Sequence, residues 1–187
     1  MLLLCLVTIL ITGCGGATGK VVKEIHETPE SPQIYFCPGD DCGKALESSI
    51  KTANFSVHCA FYDLNLDNVI NALSRKAGSA DVKLVIDSSN YDEKLKLRNL
   101  RLDDDKQLMH NKFCIIDSDI VITGSFNPTF NDNNRNNNNM LVIHSKTLAK
   151  NYEEEFDELW SGKFGSGPIT KNQKFHLNNI TIENYFC

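Results

Sequence analysis

The chain has 187 residues, 41% apolar, 23% charged and 9% aromatic, which excludes collagen-like, low-complexity and fully disordered chains. Its 24 acidic residues outweigh 19 basic ones, for a net charge of −5, so any contact with nucleic acid must be local rather than driven by the whole surface. No apolar run reaches the roughly 18 residues of a membrane-spanning helix, and the length suits one domain with a real core.

Met1 to Thr12 (MLLLCLVTILIT) is uncharged and runs straight into Gly13-Cys14-Gly15-Gly16, the pattern of an export signal. Ile11-Thr12-Gly13-Cys14 resembles the lipobox of prokaryotic lipoproteins, which would place a lipid on Cys14 and the protein outside the cytoplasm, held to a membrane. An uncleaved anchor or a buried N-terminal strand is the alternative. Residues 1–14 are then signal, 15–31 a polar tether with His26 solvated on it, and 32–187 the folded domain.

Gln33–Cys37 (QIYFC) reads as a strand stopped by Pro38-Gly39-Asp40. Helical spacing over Cys42–Ala53 follows, with Asp40 or Asp41 as N-cap. Phe55–Phe61 alternates as a strand on which His58 is a packing residue. Leu64–Ala77 is a second helix and Val82–Ile86 a buried strand. Tyr91–Asp105 interleaves Lys94, Lys96, Arg98 and Arg101 with leucines, either a solvated face or a local basic patch for substrate. Phe113–Ile116 and Ile120–Thr123, split by Asp117-Ser118-Asp119, form a hairpin. Met140–His144 is a further strand and Leu148–Trp160 a further helix, closed by the turn at Gly162–Pro168. The order predicts an α/β domain with a mixed, largely parallel sheet flanked by helices.

Seven cysteines stand at 5, 14, 37, 42, 59, 114 and 187. Cys37 and Cys42 are close enough for a local disulfide in an oxidising exterior. A metal is the rival for that pair, but no second Cys pair or nearby His completes four ligands. Cys59 and Cys114 lie in apolar runs and read as plain core residues, while Cys187 could pair between chains.

The chemistry concentrates in HNKFCIIDSDIVITGSFN, residues 110–127. His110, Lys112 and Asp117 fit His-x-Lys-x4-Asp, and Gly124, Ser125 and Asn127 follow as Gly-Ser-x-Asn. A chance match at six fixed positions is on the order of a few in a million for a chain of this length. The two-residue spacing within each pair puts His110 with Lys112, and Ser125 with Asn127, on common faces of neighbouring strands. Such a patch suits a phosphodiester: imidazole attacks phosphorus, while the ammonium and amide meet the non-bridging oxygens. Asp117, at the turn, positions Lys112 or the hairpin rather than touching substrate.

This motif, with the surrounding segments from Ile34 to Gly165, resembles the phospholipase D superfamily, in particular its small single-motif nucleases. The resemblance implies a mixed sheet between helices and two motif copies facing each other across a two-fold axis. It further implies a two-step reaction in which one His110 attacks and the other protonates the leaving oxygen, with no metal or other cofactor. The complete motif occurs once, so a second copy must come from a homodimer or a separately encoded half-module. Tyr185-Phe186-Cys187 repeats Tyr35-Phe36-Cys37, as if a second module began there. Where many relatives carry a Glu that bonds the imidazole, this chain has Asn138 or Asn139, inside a stretch (127–139) with eight Asn in thirteen residues. Arg135 is the residue of that stretch expected to meet phosphate. The leading expectation is an exported endonuclease. A lipid-directed phospholipase D or phosphatidyltransferase is the alternative, and a non-catalytic surface binding module the third.

Overall fold

The computed structural model describes residues 24–165, 167 and 170–186. Cys14, the export signal and Cys187 lie outside the described residues. The strands, in chain order, are β1 (His26–Glu27), β2 (Gln33–Cys37), β3 (Ser56–Phe61), β4 (Asp81–Asp87), β5 (Leu100–Asp103), β6 (Lys112–Ile116), β7 (Ile120–Gly124), β8 (Asn138–His144), β9 (Lys174–Leu177) and β10 (Ile180–Glu183). The helices are α1 (Cys42–Thr52), α2 (Asp67–Lys76), α3 (Phe130–Asn134) and α4 (Lys146–Ser161).

A seven-stranded sheet in the order β2-β8-β7-β6-β3-β4-β5 is the centre of the fold. β3, β4 and β5 run parallel, as α2 and the 88–99 segment serve as crossovers. The other neighbours, β3·β6, β6·β7, β7·β8 and β2·β8, are antiparallel. The sheet is therefore mixed, as expected, but not largely parallel, because the 105–145 segment forms a meander rather than further crossover units.

Alternation of side chains along each strand feeds two cores. Val57, Cys59, Leu84, Ile86, Cys114 and Ile122 face α1 and α2, where Leu46, Ile50, Val69 and Leu73 close over them. Ala60, Val85, Phe113, Ile115 and Val121 face α4, which contributes the fully buried Phe156 and Leu159. Removing a side chain such as Phe156 costs about 3–5 kcal/mol. Asp41 caps α1 by accepting the Lys44 N–H at 3.1 Å, and Ser145 caps α4 through Leu148 N–H at 3.1 Å.

Cys37 and Cys42 form the expected local disulfide. Cys59 and Cys114 form a second one, correcting their reading as plain core residues. The two face each other directly across β3 and β6, with 4.1 Å between Cα atoms, a closeness that separate apolar runs do not announce. The tether reading also fails in part. β1 pairs with β9 in parallel, and Glu27 accepts the Thr147 N–H at 2.8 Å at the start of α4. β10 pairs with β9 in the small sheet, whereas β2 pairs with β8 in the large one. Tyr185-Phe186 thus follows a strand placed quite unlike Tyr35-Phe36, and Phe186 packs on Tyr152 at 5.0 Å.

Candidate active site

His110, Lys112 and Asn127 lie at the end of the sheet where β3, β4 and β5 finish and β6 begins. Asp87, buried at the end of β4, accepts the Met109 N–H at 2.9 Å and the Ser89 N–H at 2.9 Å. One carboxylate thereby fixes the segment that enters His110. On the other flank, Tyr62 donates its N–H to the Asn111 carbonyl at 2.8 Å, extending the β3·β6 pairing past β6 itself. The exposed His110 ring meets the Tyr62 ring edge to face at 4.8 Å between centroids. The Lys112 ammonium lies 5.2 Å from the centre of the same Tyr62 ring and donates to the His110 carbonyl at 3.0 Å.

Two environments tune this pair. Partial burial pushes the His110 pKa below its usual range, the Lys112 charge adds to that, and Asp87 opposes it. The shift favours the neutral imidazole, the form able to act as a nucleophile. Burial also pushes the Lys112 pKa down, against the charge of Asp132.

The Gly-Ser-x-Asn half arrives from β7. Gly124 has φ 146°, and a Cβ there would sit 2.3 Å from the Asn139 carbonyl oxygen, so only glycine fits the close approach of β8. Asn127 donates both its backbone N–H and its Nδ2 to one oxygen of Asp132, each at 2.9 Å. Its Oδ1 is buried without a donor among the described residues. Asp132 lies on α3, 8% exposed, and also accepts from Asn136 Nδ2 at 2.7 Å. His110, Lys112 and Tyr62 thus touch one another, Asn127 and Asp132 are bonded to each other, and the Asp132 charge acts on Lys112: an imidazole beside an ammonium, and an amide held by a carboxylate.

Residues 46–160 match the family described as cardiolipin synthase, PLD-like domain. The chain belongs to the phospholipase-D-like family. It is 35% identical over 127 residues to a phospholipase D of Rickettsia bellii, covering 63% of each chain. It therefore spans under two thirds of that relative. A mitochondrial cardiolipin hydrolase of Xenopus tropicalis is 36% identical over 61 residues, 33% of this chain and 29% of that one. Among solved structures, the phospholipase D family member Nuc of Salmonella typhimurium superposes with TM-score 0.63 and 26% identity, covering 71% of this chain and 95% of Nuc. NucT of Helicobacter pylori shares the fold at TM-score 0.61 and 18% identity, covering 71% of this chain and 96% of NucT.

The other residues of the phospholipase-D-like motif serve the frame. Asp117 sits at the far end of β6 from Lys112, with φ 53°, and accepts the N–H groups of Asn54, Phe55 and Ser56 at 2.8, 2.7 and 2.8 Å. It pins the hairpin to the start of β3, one of the two roles expected for it, and makes no bond to Lys112. Ser125 lies beyond β7, not on it, and its hydroxyl donates to Asn138 Oδ1 at 3.0 Å and accepts the Asn139 N–H at 3.1 Å. Asn138 and Asn139 accordingly hold Ser125 rather than the imidazole. His144-Ser145-Lys146 repeats the His-x-Lys spacing at the opposite end of the sheet, where His144 pairs with Ile120 and Ser145 caps α4. His58 is the packing residue expected, stacked on Phe156 at 4.9 Å and bonded to Glu153 at 2.7 Å.

None of Arg98, Arg101 and Arg135 lines the cavity beside His110. Arg101 lies over Trp160 at 5.7 Å, and Arg98 is exposed in the loop before β5. Arg135 lies over Phe130 at 5.3 Å and donates to Asn131 at 3.3 Å. The residues sequence reasoning missed are Tyr62, Asp87 and Asp132. Asp87 carried a signal, as a charged residue closing a buried strand. Asp132 was masked by the asparagines around it.

Beside His110 opens a cavity of about 280 Å³, walled by Asp103, Asp105, Asn111 and Glu155 among others. Burial pushes the Glu155 and Asp103 carboxyls above their usual range. A larger cavity, about 440 Å³, lies between β2 and α1 and includes neither His110 nor Lys112.

Proposed function

We propose that this chain is a phosphodiesterase whose nucleophile is His110 and whose substrate is nucleic acid. His110 attacks phosphorus, forming a phosphorus–nitrogen bond as the bond to the leaving oxygen breaks, and water then releases the phosphoryl group. Lys112 and the free Nδ2 hydrogen of Asn127 stabilise charge on the non-bridging oxygens; an ionised donor is about twice as strong as a neutral one, so Lys112 is the larger contributor. The leaving oxygen needs a proton. No second histidine stands beside His110 among the described residues, so the acid is the His110 of a second copy, which an exposed imidazole at the sheet end can meet across a two-fold axis.

The observation that supports nucleic acid is the openness of the site. His110 is exposed at the end of the sheet, so a phosphodiester flanked by bulky groups on both sides has access. The small architecture shared with Nuc supports the same reading. A second reading has an observation of its own: Asp103, Asp105 and Glu155 beside His110 repel a polyanion and suit the cationic headgroup of a phospholipid. Incubating the protein in parallel with plasmid, RNA and phosphatidylcholine vesicles separates the two. Cleavage of the nucleic acids with intact vesicles supports the first reading, and choline release with intact plasmid and RNA overturns it.

A further inference from the structure

The small sheet carries a second constellation, remote from the phosphodiesterase chemistry. Phe175 and Leu177 of β9 point into the core, so His176 between them points outward. β1 pairs with β9 so that His26 stands directly opposite His176. Cross-strand partners in register project from the same face, and Glu24, two residues before His26, joins them there. The two imidazoles are stacked at 4.7 Å with 12° between their planes. One carboxylate oxygen of Glu24 lies 3.6 Å from His26 Nε2 and 3.8 Å from His176 Nε2.

We propose that Glu24, His26 and His176 form a zinc site that clasps the N-terminal segment to the C-terminal hairpin. One ligand atom from each residue lies within 4.8 Å of the other two. A zinc ion with bonds of about 2.0–2.1 Å needs ligand atoms about 3.4 Å apart in a tetrahedron, so the Glu24 contacts close with shifts of a few tenths of an ångström, while the two stacked imidazoles turn out of parallel to bring both lone pairs onto the metal. The His176 Nδ1 lies 3.3 Å from Thr181 Oγ1, on the strand on the other side of β9, and in the tautomer that donates Nδ1–H to this hydroxyl, Nε2 carries its lone pair toward Glu24. The ammonium of Lys174, two residues before His176, is held by Glu183 at 2.6 Å. The ligands are two neutral imidazoles and one carboxylate, and water completes the fourth position. The clasp has a purpose in the fold, because β1 contributes only two paired residues to this sheet.

Titration of the metal-free, tag-free chain with zinc chloride, followed by calorimetry and thermal melting, tests the site. Stoichiometric uptake and a melting temperature raised by several degrees are expected in the native chain. His26→Ala and His176→Ala each weaken uptake at least about a hundredfold and abolish the rise, whereas His144→Ala changes neither. His26 lies on a two-residue edge strand, so its replacement leaves the cores intact. Hydrolysis of bis(p-nitrophenyl) phosphate, measured well below the melting point, is unchanged in His26→Ala. Undiminished zinc uptake in His26→Ala, or no uptake by the native chain at millimolar zinc, overturns the proposal.

Discussion

Asp132 is the sharpest place to perturb the phosphodiesterase site. Its side chain accepts from the Asn127 N–H and Nδ2 at 2.9 Å each and from Asn136 at 2.7 Å, while 8% exposed. A hydrogen bond to a charged acceptor contributes about 1.5–3 kcal/mol, and bonds that share one acceptor residue are less than additive. Asp132→Ala therefore costs about 3 kcal/mol, chiefly by leaving the Asn127 donors unsatisfied. For a domain of this size that lowers the melting temperature by about 6–12 °C. The same change frees Asn127 from its catalytic position and removes negative charge near Lys112, so kcat falls about a hundredfold to a thousandfold. Asp132→Asn keeps an acceptor but not the charge, and falls between the two in both readouts. Thermal melts and turnover of bis(p-nitrophenyl) phosphate, a substrate neutral between nucleic acid and lipid, are the assays. An Asp132→Ala protein melting within about 2 °C of the native chain and turning over within about threefold would refute the assignment.

The acidic limb of kcat/KM lies on the acid side of an ordinary histidine's titration, since burial and Lys112 push the His110 pKa down. Asp87→Asn removes the charge that opposes this, so the limb moves to lower pH still. For Asp117, burial pushes the carboxyl up, but the N–H groups of Ser56, Asn54 and Phe55 more than offset it and leave the pKa lowered. Its contribution to stability is therefore complete above the unfolded value and is lost as pH falls through the lower folded one. Asp117→Asn should flatten acid unfolding below about pH 4 and change kcat by less than about twofold; a loss of activity in a folded Asp117→Asn protein would return this residue to the catalytic group. Cys59 and Cys114 close a loop spanning 55 residues, which in the chain-entropy picture contributes about 4 kcal/mol. Cys59→Ser with Cys114→Ser should then melt well below the native chain, and equal melting temperatures would show the bridge to be neutral.

Legibility followed the range of the interactions. β2 lies where an aromatic, β-branched run meets Pro38, and α1 and α4 lie where apolar spacing meets a capping side chain, because those signals are local. The motif placed His110, Lys112 and Asn127 at one end of the sheet for the same reason. What sequence hid was set by tertiary partners. Asp117 reads as a site residue by spacing, yet its carboxylate bonds three N–H groups more than sixty residues away. Leu64 to Leu66 has helical spacing, but Asn65 and Leu66 give their N–H groups to Pro128, and α2 starts only at Asp67. β1 and the Cys59–Cys114 bridge depend on strands brought together from distant parts of the chain. α3 hides among asparagines, where Thr129 caps it by accepting the Asp132 N–H at 3.2 Å.

Covalent attack by His110 leaves an intermediate on the protein that can be trapped. Native protein is mixed with bis(p-nitrophenyl) phosphate, quenched in alkali within the first turnover, digested and examined by mass spectrometry. A burst of p-nitrophenol and a nitrophenyl-phosphoryl adduct on the peptide bearing His110 are expected, with both absent in His110→Ala protein of native melting temperature. A His110→Ala protein that still turns over at the native rate, or an adduct on any other residue, would contradict covalent attack by His110.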